Sequence, residues 1–404
     1  MIDAVRRLVI NAGTALRAVP KVFEIFTPAS DPAACQPSAS GARWWLLRLG
    51  LYALREALPV ATDWIYLIDH SVQIGTVKVF VITGIRASSL PTPSRPLVRA
   101  DLHLLALVPT EHSNGDIVTA QLEETAKRTG IPRAIVSDHG SDVKKGSEQF
   151  AVEHPGSVTI YDAAHFGAIL LKRRLEAHPQ WSRLITRLGQ TKAKLLQTSD
   201  ACIASPSLRP KARYMNLGPL LKWCRQILLL LDRDPETSPR AHARYSWLEE
   251  FRSAIGARSR WECTVSTSVA FVRSEGLSAD CAGKLAVVLQ TRPPEQRHAA
   301  MESEWIRFAR EQSSGLAPGE RLVGSTEVLE SVFGKWKSLE RQESRSGITS
   351  LVLSLGSLLG DWPLPRLQAA LNQTPVKAVT AWLETHLPPS VQSQRRLTFS
   401  PVSP

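Results

Sequence analysis

Four apolar runs between Trp64 and Gly146, and the order in which they come, constrain the fold more than anything else in the chain. Trp64-Ile-Tyr-Leu-Ile68 stops abruptly at Asp69-His70-Ser71. Lys78 to Ile85 and Leu102 to Val108 follow, then a segment with helical spacing from Asn114 to Thr129. The fourth run, Ala134-Ile-Val136, ends at Ser137-Asp138-His139-Gly140. Short runs rich in Val and Ile, bounded by Gly, Pro and Asp, read as buried strands. The order strand, strand, strand, helix, strand predicts an α/β domain, with one Asp closing the first strand and another closing the fourth.

Charge narrows the partner. A net charge of +12 and a pI near 9.7 favour a polyanion, nucleic acid first and an anionic membrane surface second. The five cysteines lie far apart with no C-x-x-C pair, which excludes a disulfide framework or a zinc ribbon and fits single thiols in a reducing compartment. The apolar stretches around Trp44–Ala61 and Ile348–Leu359 are interrupted by charge or too short to cross a bilayer. The N-terminal run, with Asp3 and Arg6-Arg7, has no signal-peptide pattern. The expectation is a soluble, cytoplasmic-type protein.

Five regions follow from the punctuation of the chain. Residues 1–60 read as an N-terminal helical region: an amphipathic helix from Asp3 to Ala18, a Pro- and Ser-containing link from Thr27 to Gly41, and a helix from Trp44 to Leu58. No helix-turn-helix is legible there. Residues 61–165 carry the first part of the α/β core, including a fifth strand, Ser157 to Tyr161, with Asp162 and His165 beyond it. Asp162 reads equally well as a plain helix N-cap. Residues 166–319 read as a helical insertion domain with recurrent Lys and Arg, among them Arg209, Lys211 and Arg213. Its tryptophans read as core. Residues 320–345 return to the core as one strongly patterned helix, and residues 346–404 read as a C-terminal helical region with a disordered tail from Pro388.

In the returning helix Val328, Leu329, Val332, Phe333, Trp336 and Leu339 form the apolar stripe. Glu327, Glu330, Gly334, Lys337 and Arg341 recur at spacings of three and four and therefore stack on one face. Carboxylates followed by a glycine and by cations suit a metal site beside a phosphate backbone; taken alone, a solvated helix face explains them as well. Ser141 can cap a helix whose first turns hold Lys144 and Lys145, a combination that suits phosphate oxygens.

Three blocks taken together resemble the DDE transposases of bacterial insertion sequences. They are Trp64 to Gly75; Ile135 to Gly146 with Tyr161 to His165; and Ser325-Thr-Glu327-Val-Leu-Glu330 to Lys337. The resemblance covers about residues 60–345. It implies a ribonuclease H-like mixed sheet flanked by helices and interrupted by a large all-helical insertion domain. The interval of 192 positions from Asp138 to Glu330 leaves room for that insertion. In that fold the first and fourth strands are neighbours, so their carboxylates meet.

By the same resemblance the catalytic and metal-binding residues are Asp69, Asp138 and Glu330, holding two Mg²⁺ ions that Mn²⁺ can replace. Such ions, about 4 Å apart, suit in-line phosphoryl transfer. Lys337, seven positions after Glu330, matches a basic residue found in some of these enzymes. The expected DNA contacts are His139, Lys144, Lys145, His165, Lys335, Lys337 and Arg341. Glu327 is the rival third carboxylate and Asp142 the rival second. The implied partners are double-stranded DNA, as terminal inverted repeats and target, and a second copy of the chain at synapsis. Two other readings keep the fold: a ribonuclease H-like nuclease or resolvase, and an inactive transposase-derived DNA-binding protein.

Overall fold

A computed structural model of the 404-residue chain describes residues 1–26, 36–72, 76–207, 214, 217–343 and 347–400. Most of the link from Thr27, including Cys35, the residues Gln73–Gly75, and the basic residues Arg209, Lys211 and Arg213 lie outside the described residues. The chain divides into two compact units: Met1–Ile160 with Ser325–Pro404, and Tyr161–Gly324.

The first unit is built on β1 (Trp64–Val72), β2 (Lys78–Arg86), β3 (His103–Thr110), β4 (Ala134–Ser137) and β5 (Val158–Tyr161), in the spatial order β3-β2-β1-β4-β5. β1 pairs antiparallel with β2, from Trp64 opposite Arg86 to Val72 opposite Lys78. β2 pairs antiparallel with β3, and the register shifts between Ile82 and Thr83. β1 pairs parallel with β4, with Ile65, Tyr66 and Leu67 opposite Ala134, Ile135 and Val136. β2 is buried at every position but its two ends, which is why its sequence is apolar throughout instead of alternating. This mixed sheet, with helices on both faces and an all-helical unit entering after β5, is the ribonuclease H-like α/β class.

One face carries α4 (Gly115–Thr129) and α5 (Ser141–Glu153). Trp64, Tyr66 and Ile68 of β1 meet Val118, Leu122 and Ala126 of α4 and Val143 and Phe150 of α5 in one buried cluster. Asn114 caps α4 by accepting from the Ile117 N–H at 2.9 Å. Ser141 is not a cap. It is the first residue of α5, and Gly140 takes the cap position without a side chain to offer. The two helices cross closely because Gly146 has no side chain: a Cβ there would lie 2.6 Å from the Gly115 carbonyl oxygen and 2.5 Å from Val118 Cβ.

Away from that cluster, α3 (Ala39–Arg55) packs on β3 and α13 (Glu327–Glu340) on β1, and the short α14 (Ser354–Ser357) packs against both helices. α15 (Leu364–Gln373) and α16 (Val376–His386) pack on α3. The apolar stretch from Leu351 to Leu359 is therefore core, not a membrane segment, and no described helix is long and apolar enough to cross a bilayer.

Four local readings change. β1 does not close at Asp69 but runs on to Val72, because His70, Ser71 and Val72 continue the pairing with β2. The first helix is short: α1 (Ile2–Ile10) ends before Gly13, whose φ of +71° reverses the chain, and α2 (Val19–Phe26) starts afresh. Trp44 lies inside α3, which begins five residues earlier behind a Ser38 cap that accepts from Gly41 at 2.9 Å. The segment expected to be disordered contains α17 (Val391–Phe399), started by Ser390 and exposed along almost its whole length.

The second unit is helical: α6 (Ala163–Glu176), α7 (Pro179–Leu195), α8 (Gly218–Leu231), α9 (Pro239–Tyr245), α10 (Arg252–Glu275), α11 (Cys281–Gln290) and α12 (Ala299–Ser313). α6 and α7 are separate helices, and Pro179 opens α7 at its first position. Trp181, Trp261 and Trp305 are buried, as the reading of them as core expects, whereas Trp223 and Trp247 are half-buried. The described cysteines, Cys202, Cys224, Cys263 and Cys281, are free thiols.

Candidate active site

Parallel pairing sets the geometry. Residues opposite one another in neighbouring strands point to the same face. Carried two residues beyond Leu67 and Val136, the β1–β4 register sets Asp138, one residue past the end of β4, level with Asp69, which lies inside β1 opposite Val81. Tyr66 and Ile68 face α4 and α5, so Asp69, by alternation, faces the side where α13 packs on β1. The Asp69 carboxylate accepts the His70 N–H at 2.6 Å.

The turn after β4 is specialised. His139 holds φ at +57°, a left-handed conformation that non-glycine residues seldom adopt. It lets the chain fold back so that Gly140 N–H donates to Asp138 Oδ1 at 2.9 Å. A Cβ on Gly140 would lie 3.3 Å from Asp138 Oδ1 and 3.6 Å from Asp142 Oδ1, so this turn gathers both carboxylates. His70 Nε2 stands 3.9 Å from Asp142 Oδ2, and its ring lies 4.9 Å from Phe80. Sequence reasoning did not single out His70. The signal was its place directly after Asp69, on the α5 side of the strand.

α13 is firmly seated. Leu329, Val332, Phe333, Trp336 and Leu339 are buried, whereas Val328 is only half-buried. At its end the buried Glu340 accepts from the Thr349 N–H at 3.1 Å and hydroxyl at 2.8 Å. At its start Ser325 Oγ accepts the Glu327 N–H at 3.2 Å. Glu327 is half-buried, Glu330 and Gly334 are exposed, and a Cβ on Gly334 would meet nothing within 4 Å. Lys337 lies 6.0 Å from the Phe333 ring, and Arg341 Nε donates to the Lys337 carbonyl at 3.3 Å. Lys335 is half-buried and lies off the Glu330–Lys337 face.

The remaining expected contacts are distributed over both units. Lys144 pairs with Glu148 at 3.7 Å and Lys145 with Asp116 at 3.3 Å, exposed pairs of small energetic weight. In the second unit, Asp162 caps α6 by accepting from Ala164 at 2.8 Å, and His165 stands in the first turn of that helix. Among the described residues, no three His, Cys, Asp or Glu side chains converge closely enough to hold a metal ion. Asp69 and Asp138 have the oxygen chemistry a hard divalent cation takes. A complete three-carboxylate centre would require the α13 glutamate to approach them more closely.

Burial governs the histidines here. It holds the His70 imidazole below its ordinary range, with Lys78 adding to the effect and Asp142 and Asp138 opposing it. His139 is lowered by burial and then by Lys144, and His103 by burial and then by Arg366. A histidine whose folded pKa is depressed contributes full stability above its unfolded pKa, about 6.5, and loses it as pH falls below that value. The urea midpoint of unfolding is therefore expected to drop between pH 7.5 and pH 5.5; an unchanged or higher midpoint at pH 5.5 would contradict the burial of these rings.

No family model matches the chain, and no curated protein matches it. Among solved structures it is similar to the Drosophila P element transposase strand transfer complex, at 11% identity over 92% of this chain and 92% of that chain, with a TM-score of 0.40.

Proposed function

We propose that the protein is a DNA transposase of the DDE type, acting by phosphoryl transfer at Asp69, Asp138 and Glu330. One observation carries the proposal: β1 and β4 are parallel neighbours, and Asp69 and Asp138 each stand two residues beyond the last paired residues, Leu67 and Val136. Two hard divalent cations held by the three carboxylates would activate the attacking oxygen and stabilise the leaving oxygen.

The chain's own groups do the rest. Glu330 is the exposed carboxylate that α13 offers to this set, and the open space over Gly334 admits a DNA backbone to that face. Lys337 and Arg341, on the same face, hold the phosphates flanking the scissile bond. On the other side of the aspartates, His139 and Lys144 hold the strand so that the scissile phosphate lies in line with the incoming oxygen. Water attacks in the cleavage step and a DNA 3′-hydroxyl in the joining step, so no covalent protein intermediate forms. The net charge of +12 supports DNA as the partner, and joining two ends calls for two copies of the chain.

The test is cleavage of labelled duplexes carrying the sequences that flank the gene, with Mg²⁺ or Mn²⁺. Wild type is expected to nick them only with the cation. Glu330→Gln is expected to be inactive and Glu327→Gln active; the reverse pattern moves the third carboxylate to Glu327. No cleavage by wild type with either ion, despite DNA binding, would overturn the catalytic reading in favour of a DNA-binding protein.

A further inference from the structure

The left-handed turn that follows Asp138 needs support from outside itself. A residue kept in a sparsely populated backbone conformation persists only where its surroundings over-determine it, and His139 is such a residue. Within the turn, the Gly140 N–H donates to Asp138, and the Gly140 carbonyl accepts the Lys144 N–H at 2.7 Å. Both bonds are internal to residues 138–144, so neither ties the turn to the sheet.

β1 supplies an anchor. It continues past Asp69, and His70 stands opposite Phe80 of β2 with the two rings 4.9 Å apart. By alternation the His70 side chain lies on the face that carries α5, opposite to that of Asp69. Its Nε2 is buried and has no hydrogen-bond partner among the described residues. Asp142 Oδ2 lies 3.9 Å from this nitrogen, while Asp142 Oδ1 accepts the Val143 N–H at 2.9 Å. Asp142 belongs to the first turn of α5, and the Cβ position of Gly140 lies 3.6 Å from its Oδ1 and 3.3 Å from Asp138 Oδ1. Asp138 and Asp142 are therefore carried by one turn, and a hold on the second is a hold on the first.

We propose that His70 is a positioning residue: through Asp142 it fixes the turn that sets Asp138 level with Asp69. The role rests on the reading of these two aspartates as cation ligands. About 1 Å of approach would turn the His70–Asp142 contact into a charge-assisted hydrogen bond, with the imidazole N–H donating to the carboxylate. Removing a partner that orients a ligand costs about 10–100-fold in metal affinity.

The experiment measures Mn²⁺ binding to the full chain, from the EPR signal of the free ion, together with amide exchange of residues 138–143. Wild type is compared with His70→Phe, which keeps a ring against Phe80 without a donor, with His70→Gln, whose amide N–H can reach the same carboxylate, and with Asp69→Asn. Wild type is expected to bind the ion and Asp69→Asn to lose it. His70→Phe should bind about tenfold or more weakly and exchange residues 138–143 faster, and His70→Gln should recover most of the affinity. Should the Phe variant fail to fold, His70→Leu takes its place. Wild-type affinity and exchange in His70→Phe, or an equal loss in His70→Gln, would overturn the positioning role while leaving the carboxylate reading intact. No Mn²⁺ binding by wild type would overturn that reading, and this role with it.

Discussion

Asp69→Asn is expected to lower DNA cleavage and joining by about a thousandfold or more, because a catalytic cation supplies several kcal/mol of charge stabilisation and about 1.4 kcal/mol is worth a factor of ten. The substitution isolates charge from structure. An asparagine carbonyl oxygen can still accept the His70 N–H that Asp69 accepts at 2.6 Å. Asp138→Asn is expected to behave alike, since its side-chain oxygen can keep the Gly140 N–H now held at 2.9 Å. Both variants should therefore fold, bind DNA as tightly as wild type or slightly more tightly, and be inactive. Rates measured on one duplex at saturating enzyme separate this result from a binding defect. Retention of a tenth or more of the rate by either variant would remove that aspartate from the chemistry.

The second large effect concerns the support of the sheet. α3 and α14 touch backbone to backbone at Gly50 and Gly356. A Cβ on Gly50 would lie 1.7 Å from the Leu353 carbonyl oxygen, and one on Gly356 would lie 2.6 Å from the Gly50 carbonyl oxygen. Neither neighbour is a flexible side-chain end, so the helices must separate. Gly50→Ala is expected to destabilise the fold by about 3 kcal/mol or more, the upper range for overpacking. At about 2–4 °C per kcal/mol for a unit of this size, Tm should fall by about 6–12 °C. Gly189 on α7 has nothing within 4 Å of its Cβ position, so Gly189→Ala is the matched control. There the same change should stabilise by about 0.5–1 kcal/mol through helix propensity alone. Thermal unfolding of the two variants checks both signs; a Gly50→Ala protein as stable as wild type would show that α3 and α14 do not touch as described.

What the sequence made legible was what burial writes into it. β1, β2, β3 and β4 were readable because strands covered on both faces are nearly continuous apolar runs, and α13 because one stripe of it is buried. Asp69 and Asp138 were readable because a charge ends each run. Less legible was whatever depends on a single backbone angle or on tertiary approach. Gly13 divides the first helix through one positive φ, and a weak Ser390 start makes a helix of a polar tail. The approach of His70 and Asp142 depends on the left-handed turn at His139, which has no periodicity to betray it.

The central claim is tested most directly by strand transfer: a duplex ending in a free 3′-hydroxyl at the element's terminus, incubated with a supercoiled plasmid, the full chain and Mg²⁺. Wild type is expected to join that end covalently to the plasmid, in a reaction abolished by chelation and by Asp69→Asn. Binding of both DNAs with no joined product, or joining that survives Asp69→Asn, would contradict it.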